Sequence, residues 1–162
     1  MAEFSSNDKG SNGGTPEKHF SLRSLYVKDV SFEAPLMPEI LHDKLPEPDV
    51  RLNLRTTHRD LKDSTTEVVL HVEVHALLGE RTAFLLEIAQ AGTFLITGYS
   101  PEETRSKIGI DCPEALFPFL REAVSSLVQR GGFPAVLLYP VDFSLLYRAN
   151  RAGPAKTTSS EA

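Results

Sequence analysis

The chain contains no tryptophan and a single cysteine, Cys112. One thiol cannot close an intramolecular disulfide, which points to a reducing compartment. No apolar run approaches the roughly 20 residues that a membrane-spanning helix needs, so direct membrane insertion is not expected. The first 19 residues are rich in Gly, Ser and Asn and lack the apolar core of a secretion signal, which leaves a cytoplasmic location as the expectation. An excess of basic residues is also missing: 17 Lys and Arg stand against 22 Asp and Glu, a formal charge of −5. Nucleic acid is therefore not an expected partner, because phosphate binding calls for a basic patch. No nucleophile elbow and no phosphate-cradling glycine loop occurs, so neither an enzymatic activity nor a cofactor is expected.

What is present is 162 residues, 41% hydrophobic and 24% charged, enough for one domain with a sizeable core. Residues 1–19 and 151–162 have too little apolar surface to offset the entropy of ordering and read as flexible tails around a domain spanning 20–150. Phe20 to Phe32 alternates as a strand, with Phe20, Leu22, Tyr26, Val30 and Phe32 on one parity and Arg23, Asp29 and Glu33 on the other. A proline-punctuated crossover follows from Ala34 to Pro48. Val50 to Thr56 reads as a second strand, and Glu67 to Leu78 as a third, with Val68, Leu70, Val72, Val74 and Ala76 on one face. Gly79 and Glu80 supply a turn into a fourth strand, Thr82 to Gly98, in which Gly92 is a candidate bulge. The period then changes. Pro113 and Glu114 open a helix that Gly131 and Gly132 end, with Pro118 expected to kink it or delay its start. Asp142 caps a second helix running to about Asn150. Strands followed by helices make an α+β domain.

Three groups of residues could carry chemistry or binding. His71, Glu73 and His75 project from one strand face and are zinc-ligand types, but the two histidines sit about 13 Å apart at strand rise, too far to chelate one ion. A solvent-facing polar strand explains them as well. The crossover places Met37, Ile40, Leu41 and Leu45 among prolines, where they either form an exposed patch for apolar segments or cover the sheet edge. The outward strand parity carries Asp29, Glu33, Leu85 and Glu87, an acidic surface suited to a basic partner or merely solvated. Cys112, ahead of a helix, reads more readily as a small buried hydrophobe than as a reactive thiol.

Several segments resemble the SecB family of bacterial protein-export chaperones. These are Tyr26 to Pro35 (YVKDVSFEAP), Leu78 to Leu85 (LGERTAFL), Cys112 to Glu122 (CPEALFPFLRE), Arg130 to Pro134 (RGGFP) and Pro140 to Phe143 (PVDF). They occur in order across 20–147. The resemblance implies a four-stranded antiparallel sheet followed by a long and a short C-terminal helix, in a homotetramer that is a dimer of dimers. It also implies ATP-independent binding of unfolded preproteins and their delivery to the SecA motor ATPase. Carried over residue by residue, the client groove would use Leu45, Val50, Leu52, Leu54, Leu137 and Phe143. The SecA-contacting surface maps onto Asp29, Glu33, Leu85 and Glu87, and positions tied to tetramer assembly onto Phe84, Leu86, Ile88 and Gln90. The family often carries Trp where this chain has Leu45, and the C-terminal stretch with Arg151 and Lys156 is not the acidic tail of some relatives. Two alternatives stand beside this reading: a SecB-like chaperone dedicated to one client such as an antitoxin, and a zinc enzyme built on His71, Glu73 and His75.

Overall fold

The structure, a computed structural model, describes residues 14–152 apart from 43 and 45. Four strands come first: β1 His19–Glu33, β2 Asp49–Asp60, β3 Thr65–Leu78 and β4 Arg81–Thr97. Helix α1 (Pro101–Ser106) then runs through a π-helical turn, Lys107–Asp111, into α2 (Cys112–Arg130), and α3 (Phe143–Arg151) closes the described chain. The strands form one antiparallel sheet in the order β1-β4-β3-β2, so the crossover carries the chain from one sheet edge to the other. The expected α+β architecture is present, as are the long and the short C-terminal helix.

Even-numbered side chains of β3 and β4 build the core. Val68, Leu70, Val74 and Ala76 meet Phe84, Leu86 and Phe94, with Leu116, Leu120, Val124 and Val128 of α2 packed on them; none is more than 2% exposed. Full burial of such a side chain stabilises the fold by about 1.5–3 kcal/mol, so this layer fixes which sheet face is inside. Gly92 allows α2 to sit close: a Cβ there would lie 2.9 Å from both Leu116 Cδ2 and Leu22 Cδ1. Helix α2 packs on β4 and β3 and touches β1, while β2 extends beyond its cover.

Several expectations change. Tyr26 does not share the parity of Leu22 and Val30. Register shifts at Leu22/Ser24 and Val27/Asp29 turn Leu25 and Val27 inward, opposite Gly92 and Gln90, and send Tyr26 outward opposite Ala91. The first irregularity expected at Gly92 thus lies in the facing strand β1, while β4 pairs without a break there. Strand β2 runs to Asp60 rather than Thr56, because its polar end pairs residue for residue with β3 and gains partners there. Pro118 neither delays the helix nor ends it; α2 starts at Cys112, with Pro113 in its first turn. Helix α1 was not read from the pattern, although Ser100 and Glu103 form a reciprocal capping box with Pro101 behind the cap. Leu36, Met37 and Ile40 of the crossover pack against the core, and Leu41 is the exposed member. The crossover's apolar residues thus chiefly cover the sheet. Residues 1–13 and 153–162, most of the two expected tails, lie outside the described residues.

Candidate functional site

Strand β2 presents Val50, Leu52 and Leu54 on its inner face. Val50 and Leu52 are 43% and 48% exposed, an apolar row at a sheet edge that no helix among the described residues buries, and Leu54 is half-buried. The row runs into a cleft of about 370 Å³ between β2 and α3. Leu54, Thr56 and His58 form one wall, Ile108 and Gly109 of the π turn the floor, and Phe143, Leu146 and Tyr147 the other wall. Arg55, Arg105, Asn150 and Arg151 also line it.

Local chemistry seats α3 there. The Asp142 carboxylate accepts from the Leu145 backbone N–H at 2.9 Å, which fixes the start of the helix. Phe143 is then 2% exposed, its ring edge-on to Phe117 with centroids 5.8 Å apart. Tyr147 lies directly on Gly109, where any Cβ would collide with its ring. The π turn therefore offers α3 a bare backbone surface, and the cleft's width follows from that contact.

The expected client residues are partly brought together. Leu54 and Phe143 face each other across the cleft, and Val50 and Leu52 continue the same strand face. Leu137 is 63% exposed on the α2–α3 connection and does not line the cleft. Leu45 lies outside the described residues. Sequence reasoning missed Ile108 and Gly109, since a π turn leaves no periodic signature, and it missed Arg105 together with α1.

The opposite sheet face is polar. Asp29, Glu33, Leu85 and Glu87 all lie on it, in the paired register Asp29–Ala89, Ser31–Glu87 and Glu33–Leu85. The Ser31 hydroxyl donates to Glu87 at 3.3 Å. Asp29 and Glu87 line a depression of about 190 Å³ with Asn53, Arg55, His71 and Glu73. Glu73 stands directly opposite Glu87, an arrangement of like charges that disfavours itself.

Beside this depression a carboxylate is buried. Glu67, whose side chain is 5% exposed, accepts from Tyr26 Oη, from Lys28 Nζ at 2.8 and 2.9 Å, and from Arg59 at 3.1 Å. The hydrogen bond from Lys28, then that from Tyr26, pulls its pKa down to about 2, while burial and Glu67 itself push the Tyr26 phenol up to about 12. The knot spans the sheet, because Tyr26 and Lys28 belong to β1 and Arg59 to β2.

The two histidines among the zinc-type residues have separate partners. His71 Nε2 lies 2.9 Å from the Thr57 hydroxyl and His75 Nε2 2.8 Å from that of Thr82. Burial, then Arg55 and Lys28, depresses the basicity of His71. Among the described residues no three His, Cys, Asp or Glu side chains cluster to hold a metal ion. Cys112 is fully buried, and that burial pushes its thiol well above the usual range. Phe84, Leu86, Ile88 and Gln90 lie beneath the sheet, at most 3% exposed, and Gln90 Nε2 donates to the Tyr26 carbonyl at 3.0 Å. No helix among the described residues is long and apolar enough to cross a membrane.

Known proteins resemble this chain over most of its length. The family model for preprotein translocase subunit SecB matches residues 14–153. The protein-export protein SecB of Nitrosococcus oceani is 44% identical over 148 residues, covering 91% of this chain and 90% of that protein. That of Methylococcus capsulatus is 47% identical over 132 residues, covering 82% and 84%. Among solved structures, the SecB-like chaperone Rv1957 of Mycobacterium tuberculosis, in complex with a peptide from the HigA1 antitoxin, superposes with a TM-score of 0.63 over 75% of this chain and 90% of that one. At 16% identity that likeness concerns the fold. With matching motifs in order, a matching sheet and helix arrangement, and close relatives along nearly the whole length, the chain belongs to the SecB family of protein-export chaperones.

Proposed function

We propose that this chain binds unfolded preproteins without ATP in the cytoplasm, along the inner face of β2 and in the adjoining cleft, and passes them to SecA at the outer face. The observation that carries the reading is the bare apolar row Val50, Leu52 and Leu54 running into a cleft walled by Phe143 and Tyr147. An unfolded chain exposes apolar segments that a folded protein hides, so a row of this kind selects by folding state and needs no bond chemistry. Asp29, Glu33, Leu85 and Glu87, on the opposite face, offer SecA an acidic surface that client binding leaves free.

A homotetramer, arranged as a dimer of dimers, fits the edges of the sheet. β1 is a long edge strand on which Leu22, Leu25, Val27 and Val30 are 37–50% exposed, and such an edge calls for a partner strand. Phe84, Leu86, Ile88 and Gln90 would then act on assembly from beneath, by setting the shape of β1; Gln90 holds the Tyr26 carbonyl between the two bulges. Several grooves in one assembly turn weak contacts into avidity.

The test is refolding of a denatured preprotein with and without this protein, in the absence of nucleotide. Delayed folding and a recoverable complex are expected. Unaltered folding with no complex would remove the reading.

A further inference from the structure

We infer that the outer sheet face takes a segment of SecA bearing Lys or Arg over β1 and Asp or Glu over β2. Arg51 and Arg55 are then docking residues beside Asp29, Glu33 and Glu87. This rests on the reading of the outer face as the SecA surface and adds a second charge to what that surface recognises.

The strand register lines the charges up. From β1 across to β2, one row is Asp29, Ala89, His71 and Arg55, and another is Glu33, Leu85, His75 and Arg51. Each row begins on an exposed carboxylate, passes an apolar residue and a half-buried histidine, and ends on an exposed guanidinium. The row between them, Ser31, Glu87, Glu73 and Asn53, has its two carboxylates at the centre. Four adjacent strands span three spacings of about 4.8 Å, so the ends of a row stand roughly 14 Å apart. An extended segment rises about 3.3 Å per residue, and residues four apart share a face, so a basic and an acidic residue at that spacing reach both ends.

The two ends of the first row lack partners of their own. Among the described residues neither Asp29 nor Arg55 belongs to an ion pair. Both line the outer depression with Glu73, yet Glu73 forms no ion pair with Arg55. Arg55 borders the client cleft as well, but its guanidinium lies 3.5 Å from His71 Nδ1, on the outer face. Arg51 pairs with Asp49 at 3.3 Å, two residues along the same strand and with both side chains exposed, a weak contact that yields to another carboxylate. A purely basic segment laid here would repel Arg55 and strip water from its N–H donors without supplying an acceptor. A carboxylate at the β2 end supplies that acceptor, and opposite charges at the two ends set the direction in which the segment lies.

The experiment measures binding of purified SecA to the full-length protein and its variants at low and high salt, with circular dichroism confirming each fold. The double variant R51E/R55E makes the face more acidic, so a partner recognised by its basic charge alone would bind it more tightly. The expected result is the opposite. SecA binding should weaken about five- to tenfold, with R55Q intermediate and the differences narrowing as salt rises. Glu87→Lys, the control for the docking face itself, should weaken binding too. Unchanged or tighter binding to R51E/R55E, with Glu87→Lys still weakened, overturns the need for a carboxylate and leaves the docking face standing. Full binding to Glu87→Lys removes the docking face and this inference with it.

Discussion

The two faces of the sheet are held by different physics. The inner face is a continuous apolar layer whose side chains interlock with α2, and its stabilisation depends on area removed from water. The outer face carries a small apolar island of Val69, Ala89 and Ala91. Otherwise its described contacts are directional: Glu67 with three donors, His71 with Thr57, His75 with Thr82. A layer held by burial tolerates changes of pH and salt. A polar face held by charge is exposed to both, and it is also the face that can greet a charged partner without disturbing the core.

Phe84→Ala should break the contrast most severely. The ring is 2% exposed and packs at 4.9 Å on Phe133 and 5.8 Å on Phe32, so its removal should cost about 3–5 kcal/mol, read from urea unfolding. Glu67→Gln should cost less, about 2 kcal/mol after allowing for the exposure of Lys28 and Arg59. Its sign with pH follows from the depressed pKa. The Glu67 contribution is fully present above about 4.5 and is lost as pH falls towards about 2, because the unfolded carboxylate takes up a proton first. Wild type should therefore lose more stability than the variant across that window, and parallel curves would show that the knot contributes nothing.

Smaller effects sharpen the contrast at the cleft and on the outer surface. Gly109→Ala should gain helix propensity yet displace Tyr147, for a net cost of about 1 kcal/mol confined to α3. Faster hydrogen exchange in α3 and weaker peptide binding, with the sheet unchanged, are the expected signs. Glu87→Lys should alter stability by no more than about 0.5 kcal/mol, since it also relieves the repulsion facing Glu73. Its expected consequence is weakened SecA binding with client binding retained; equal loss of both would place the docking surface elsewhere.

Much of this was legible in the sequence. The β3 and β4 alternation assigned Phe84, Leu86 and Ile88 to the inside and Leu85 and Glu87 to the outside, because two strands buried on one side leave a period of two, and their register shifts only at Ala76/Leu77, before Phe84. Strand β1 was harder. Its bulges flip parity twice within a few residues, so Tyr26 looked like a core residue until its strand partner was known. The polar end of β2 gave no alternation and was held only by partners from β3.

By itself the sequence determined the fold class, the inner faces of β3 and β4, the long helix and the family, since these depend on local periodicity and on motifs contiguous in the chain. Tertiary structure alone decided that Leu54, Gly109 and Tyr147 would line one cleft with Arg105 and Arg151, and that Tyr26, Lys28 and Arg59 would converge on Glu67. Those groups come from segments far apart in the chain. Their meeting depends on where the bulges in β1 and the π turn ahead of α2 redirect side chains, and neither irregularity writes a period into the sequence.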